Sequence, residues 1–217
     1  FYTPSIPKKP PWNACGIFWD EMNLEWDPVD LTEASLLRET MQHCDTCHYR
    51  YAEVTAHAVP GRLAAFGTRY RELLLPAAPP SDWDHLLRSR PEAHVWSALE
   101  YACHIRDVFL VQRDRLYTAL VEEKPGFSPM YRDHRVTLAR YNAQDPVQVV
   151  AQITMAAQLI AQAFEALNPV QLTRLCVYNY PAPAEHSLLW VGQHVIHEGE
   201  HHCHDVAAGL ARLRASA

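Results

Sequence analysis

The chain has 217 residues, enough to bury a single core without disulfides or a partner to complete it. Its formal charge of −6, from 19 basic and 25 acidic residues with no basic stripe, excludes nucleic acid as the main partner, because phosphate binding needs a cationic face. Apolar residues make up 48% and charged residues 20%, an ordinary globular balance. No apolar run reaches the roughly 20 residues that span a bilayer, so no membrane partner is expected.

Few glycines and many alanines, leucines and arginines favour helices. No apolar stretch follows Lys8 and Lys9, so no signal peptide is read. The six cysteines are then expected in a reducing, cytoplasmic setting, as free or metal-bound thiols. Thirteen histidines are many for this length, and five of them fall within 194–204.

Residues 1–30 hold Pro4, Pro7, Pro10, Pro11 and Pro28 among Trp12, Phe18, Trp19 and Trp26. Proline lacks an N–H and restricts its predecessor, so this stretch is no regular helix; its aromatics predict packing on the main body. A short helix follows over 30–43. The chain then divides into an extension, 1–43, and a main domain, 44–217. From Val54, past Pro60, the residues Leu63, Phe66, Tyr70, Leu73 and Leu74 keep helical spacing until Pro76. A second helix starts near 93–96 and ends about Val121, before Lys124-Pro125-Gly126. A short helix is possible over 136–141. Asp145-Pro146 opens a third, with Asp as N-cap and Pro at the first position, running to about Leu167. A fourth runs over 185–214. Four long helices without an alternating pattern predict an all-α, four-helix bundle; 176–180 is at most a short strand.

The last helix carries His194-Val-Ile-His197-Glu198-Gly199-Glu200-His201-His202-Cys203-His204. His197 and His201, four apart, project from one face and suit a single metal ion. His194 and His204 share roughly the same stripe, whereas His202 points away from it. Trp190 and Leu210 extend the face with apolar residues, and buried histidines are costly unless bonded or metallated. The same string reads literally as H-E-x-x-H, the zincin signature. The longer metzincin pattern, however, needs glycine and histidine three and six residues after His201, and this chain has His204 and Ala207.

On the second helix, Glu100, His104 and Asp107 share one face among core residues. His104 is therefore the third expected metal ligand beside His197 and His201. One of the two carboxylates is expected to accept its second N–H and fix the tautomer. Gly199 inside a helix costs about 1 kcal/mol relative to alanine, which predicts a close backbone approach there.

The tract Trp96-Ser-Ala-Leu-Glu-Tyr-Ala-Cys-His-Ile-Arg-Asp-Val108, taken with 197–206, resembles the DinB-like superfamily, in particular its actinobacterial members of the mycothiol-dependent maleylpyruvate isomerase type. The resemblance runs from about Cys44 to the C-terminus. It implies the same ligand set of His104, His197 and His201 around one divalent ion, with zinc favoured and nickel or iron as alternatives. It also implies a small-molecule substrate, a low-molecular-weight thiol such as mycothiol, and a homodimer. Relatives often carry Asp-Pro-Val where this chain has Glu198-Gly199-Glu200. The implied function is a thiol S-transferase or thiol-assisted isomerase acting on a small electrophile. The alternatives are a thiol-independent lyase, cyclase or hydrolase of specialised metabolism, or a non-catalytic metal-binding stress protein. Glu198, Glu200, His194 and Asp107 are the candidate proton-transfer groups, and Tyr131, Asp133, His134 and Arg135 are expected at the mouth of the site.

Cys44-Asp-Thr-Cys47-His48 also fits the resemblance, with His48 where relatives carry glycine. The string reads as a haem-attachment motif, but that chemistry needs an export route. A zinc knuckle completed by Cys15, His43 or His48, and a plain reduced thiol pair, are the other readings.

Overall fold

The computed structural model describes residues 43–179 and 183–216. The Pro- and Trp-rich extension, except His43, and the helix expected over 30–43 lie outside these residues.

Helices α1 (Ala58–Ala64) and α2 (Phe66–Leu74) realise the first expected helix as two pieces. The backbone at Ala65 stays helical, and its N–H donates to Gly61 O at 3.2 Å, so the two pieces follow each other without an intervening loop. Phe66, Tyr70 and Leu74, spaced by four, are buried. Sequence reading missed α3 (Trp83–Arg88), which lies just beyond the proline cluster. Its Trp83 indole N–H donates to Leu74 O at 2.8 Å and satisfies an open carbonyl at the end of α2.

Helix α4 (Ala98–Val121) begins a little later than the apolar spacing suggests, because Ser97 is its cap. The Ser97 hydroxyl accepts from Glu100 N, and the Glu100 carboxylate accepts from Ser97 N at 2.8 Å, a reciprocal capping box. Helix α5 (Arg132–Leu138) replaces the short helix expected over 136–141. Helix α6 (Pro146–Glu165) starts as expected, with Asp145 accepting from Val147 N at 2.7 Å. Helix α7 (Pro169–Leu172) and the strands β1 (Leu175–Tyr178) and β2 (Ala184–Ser187) follow, the strands pairing antiparallel with Cys176 opposite His186. Helix α8 (Leu188–Ala215) starts after this hairpin, with Ser187 as its cap.

Helix α4 packs on α6 and α8, and the α1–α2 pair also packs on α6 and α8. The pair and α4, consecutive in the chain, therefore sit across the bundle from each other, and the 75–97 link with α3 carries the crossover. This topology brings α4 beside α8, so His104 meets the histidine run. Helix α6 is apolar and long enough to cross a bilayer, contrary to the sequence reading; within the bundle, half of its most apolar window is buried. Val150, Ile153, Ala157 and Ile160 supply its core face.

The close approach expected at Gly199 is present. A Cβ there would lie 2.4–2.7 Å from three carbons of the Phe66 ring. Tyr70 Oη donates to Gly199 O at 3.2 Å from the same side.

Candidate metal centre

Helix α8 places its histidines on two faces, and the structure sorts them into clusters that differ from the expected triad. His104 does not gather with His197 and His201. Instead, one ligand atom each from His104, Glu198 and His202 lies within 4.8 Å of the others. A second cluster with the same spread joins Cys44, Cys47, His197 and His201. A third, of His194, His197 and Glu198, links the two.

The first cluster follows from helix geometry. Glu198 and His202 are four apart and lie one residue further round α8 than His197 and His201, a rotation of about 100°. That rotation turns His202, expected to point away, toward α4. Its ring meets His104 edge-on with centroids 5.2 Å apart, and its Nε2 lies 3.8 Å from Glu198 Oε2. Asp205 accepts from His202 Nδ1 at 2.8 Å, which places the proton on that nitrogen and leaves Nε2 as the donor for a metal. His104 is 4% exposed, and its Nδ1 is buried with no hydrogen-bond partner among the described residues. Two imidazoles, one of them with an unsatisfied buried nitrogen, and one carboxylate suit a divalent ion with open coordination positions.

Neither carboxylate expected to orient His104 does so. Glu100 receives two hydrogen bonds from Arg90, at 2.7 and 2.8 Å, besides its role in the helix cap. Asp107 accepts from Tyr141 Oη at 2.6 Å, Arg106 at 2.9 Å and Arg135 at 3.1 Å. Both acids anchor neighbouring elements to α4. Glu200 also leaves the site, since Arg62 and Arg69 bind it. Of the four acid–base candidates, Glu198 and His194 line the cavity, while Asp107 and Glu200 do not. His204 is exposed.

Tyr51, just past the knuckle-like turn 43–50, was not singled out from the sequence. Its hydroxyl lies 2.8 Å from His194 Nδ1 and 3.0 Å from His197 Nδ1. One hydroxyl proton serves only one of them, so the phenol donates to one imidazole and accepts from the other. If His197 Nδ1 carries a proton and donates, Tyr51 donates to His194 Nδ1, and His194 Nε2–H faces Glu198 Oε1 at 3.7 Å. This arrangement leaves His197 Nε2, buried and otherwise without a partner among the described residues, free to bind an ion.

Burial first, then His202, pushes the His104 imidazole down to about 4; burial likewise lowers His197 to about 4, and His194 in the same direction. Burial pushes the Glu198 carboxyl up, but His194, His202, His104 and His197 outweigh it and hold the group below its ordinary value. The His104, His194 and His197 imidazoles are therefore neutral across the physiological range, and Glu198 is the anion among them.

The pH dependence of the metal-stripped chain follows. The unfolded imidazoles titrate near 6.5 and those of His104 and His197 in the folded chain near 4, so the unfolded state takes up protons first. Stability is complete above about pH 6.5 and declines as pH falls toward 4, by roughly 3 kcal/mol at most from His104. Glu198 adds loss below the ordinary carboxylate range. Urea unfolding between pH 7 and 4.5 is expected to show this decline, and His104→Gln to flatten it. A wild-type curve flat over that interval contradicts the burial of these neutral rings.

The clusters sit in the wall of a cavity of about 780 Å³. Tyr131, Asp133 and His134 line it as expected, whereas Arg135 turns away to Asp107. Arg115 also lines it, with its guanidinium over the Phe127 and Tyr178 rings at 5.3 and 5.8 Å. Gln112, with a buried carbonyl oxygen lacking a partner among the described residues, faces the same space.

A crossed four-helix bundle with a histidine–carboxylate cluster between its second and last long helices defines the class of protein. The sequence model of the DinB superfamily matches residues 68–206, well over half of the chain, so this chain belongs to the DinB superfamily. The match begins downstream of Cys44, where the sequence resemblance had been placed. Among solved structures, it resembles YfiT from Bacillus subtilis, described as a probable metal-dependent hydrolase with an unusual four-helix bundle topology. The TM-score is 0.62 at 17% identity, over 74% of this chain and 87% of that one, a likeness of fold. No curated protein matches the chain.

Proposed function

We propose that this chain is a metal-dependent enzyme whose ion is held by His104, Glu198 and His202, and that it delivers a nucleophile to a small electrophile in the adjoining cavity. The observation that carries this reading is the His104–Glu198–His202 cluster, with an orphaned imidazole nitrogen, beside a cavity of about 780 Å³. That volume lies within the range of small-molecule sites and has room for a substrate and a cosubstrate together. When bound, a divalent ion, zinc by preference and nickel or iron otherwise, acidifies a coordinated thiol or water and polarises a substrate carbonyl.

The residues of the chain supply the rest. His202 is held by Asp205 with its Nε2 toward the ion, and His104 is fixed by burial and by Trp96 at 5.2 Å. His194, linked to Tyr51 through Nδ1, turns its Nε2–H toward Glu198 and steadies that carboxylate, while the proton of the incoming nucleophile leaves to solvent. Arg115, which lines the same cavity, offers a positive charge to a substrate carboxylate. In the favoured reading the nucleophile is a mycothiol-type thiol, and the reaction is S-transfer or thiol-assisted isomerisation in a reducing cytoplasm. A second reading, hydrolysis by water, is supported by the description of YfiT.

The test incubates the purified chain with a panel of small electrophiles, with and without a low-molecular-weight thiol. Turnover that needs both thiol and metal is the expected result. Turnover with metal alone selects the hydrolase, and no turnover with any divalent ion overturns the enzyme reading.

A further inference from the structure

Near-sequence donors are the knuckle partners expected for Cys44 and Cys47, but the structure brings His197 and His201 to them from a helix some 150 residues away. Residues 43–50 form a tight turn: His43 bridges Arg50, and Cys44 N donates to Tyr49 O at 2.9 Å. His48 takes a left-handed backbone, φ 58°, at the position where a turn of this kind favours glycine. The turn is docked on α8 by Tyr49 Oη donating to Gln193 O at 2.7 Å and by Gln193 donating back to Val54 O at 2.9 Å. Both thiols thereby face the His197–His201 stripe. Of the other donors a knuckle could use, His43 pairs with Asp45 at 2.8 Å and His48 is exposed, while Cys15 lies outside the described residues.

We propose that Cys44, Cys47, His197 and His201 hold a second divalent ion, zinc, in a closed tetrahedral site that fastens the 43–50 turn to α8. Four donors within 4.8 Å of one another match the two-cysteine, two-histidine set of structural zinc sites. Zinc–sulfur bonds of about 2.3 Å and zinc–nitrogen bonds of about 2.0–2.1 Å set a tetrahedral S–N edge of roughly 3.6 Å. Cys44 Sγ lies 3.5 Å from His201 Nδ1. His201 Nε2 then faces Asp205 at 3.7 Å, and His197 Nε2 is the buried nitrogen that lacks a partner among the described residues.

Charge balance agrees. Two thiolates and two neutral imidazoles around a divalent ion sum to zero, as a half-buried closed site requires. Each thiol gives up its proton to solvent as the ion binds. Thiolates also select zinc over harder ions, in contrast to the carboxylate-bearing cluster beside it. The two sites meet at Asp205, which faces His201 from one and accepts from His202 of the other. Because Cys44, Asp45 and Thr46 line the cavity, the second ion fixes one of its walls. Both cysteines lie upstream of the 68–206 stretch matched to the superfamily, so that match covers only the two histidines of this site.

The test uses the whole chain, purified under reducing conditions without chelator, with metal and sulfur measured together and zinc exchanged for cobalt. About two ions per chain are expected, one of them giving the intense sulfur-to-cobalt charge-transfer absorption of tetrahedral thiolate ligation. Cys44→Ser and Cys47→Ser abolish that band and remove about one ion. His202→Ala keeps the band and loses the other ion. Should the cysteine variants fold poorly, a mercurial thiol reagent added to wild type releases the thiolate-bound ion alone. A cobalt spectrum without the charge-transfer band overturns the proposal, as does a Cys44–Cys47 disulfide in protein kept reduced. Neither result touches the His104 cluster, whose failure appears as loss of the thiolate-free ion while the band persists.

Discussion

Glu198→Gln is expected to strip the ion from the His104 cluster and abolish turnover, while leaving the thiolate-bound ion in place. The amide keeps the shape of the carboxylate but carries no charge, so the remaining donors are two neutral imidazoles. Outer partners of metal ligands alone are worth about 10–100-fold in affinity, and loss of an anionic ligand exceeds that. Glu198 was first read from the sequence as a proton-transfer group, and the two roles separate cleanly. A general base contributes about 10²–10⁴-fold to rate and nothing to metal content. If Glu198→Gln keeps its ion and loses only rate, Glu198 is a base and the ligand assignment is wrong. Metal analysis and turnover on one preparation decide between them.

The grouping of ligand atoms in the structure departs from the expected triad for a plain physical reason. Spacing of four along α8 is shared by His197–His201 and by Glu198–His202. Both pairs satisfy the same helical rule, and the choice between them depends on which face of α8 meets α4. A residue step turns a helix by about 100°, so a small error in the inferred buried face exchanges one pair for the other. The apolar flanks Trp190 and Leu210 do not resolve it, because α8 is covered on several sides: by α4, by the α1–α2 pair, and by the Tyr49–Tyr51 segment.

Local signals were more readable. Asp145-Pro146 marked the start of α6 because cap chemistry is complete within four residues. Gly199 announced its close approach because glycine is otherwise disfavoured in a helix. By contrast, the crossover between α2 and α4 and the pairing of Cys44 with His201 depend on contacts between distant parts of the chain. The thiols could be seen as half of a site, while their completion from α8 could not. The carboxylates of Glu100 and Asp107 show the same limit: helical phase put them on the face of His104, but Arg90 and Tyr141, from other segments, claim them.

Of the three glycines on α8, Gly199 is the one whose added Cβ would meet the tightest contact. Gly199→Ala is expected to lower stability although alanine is the better helix former by about 1 kcal/mol. The new methyl would fall 2.4–2.7 Å from the Phe66 ring, which is fully buried and packed on Phe109 at 5.5 Å and Tyr70 at 6.4 Å. The ring has no open space to turn into, and overpacking of this kind costs about 1–3 kcal/mol even after repacking. The net loss appears as a fall of several degrees in thermal midpoint, at about 2–4 °C per kcal/mol for a chain of this size. Because His197, Glu198 and His201 flank the displaced turn, metal content is expected to fall as well. Phe66→Leu in the same background removes the edge of the ring that the methyl meets. The double variant should therefore be more stable than the sum of the two single changes predicts, by the positive coupling expected of residues in contact. Strict additivity in that cycle would mean that the two side chains do not meet, and that helix α8 tolerates alanine at its closest point to α2.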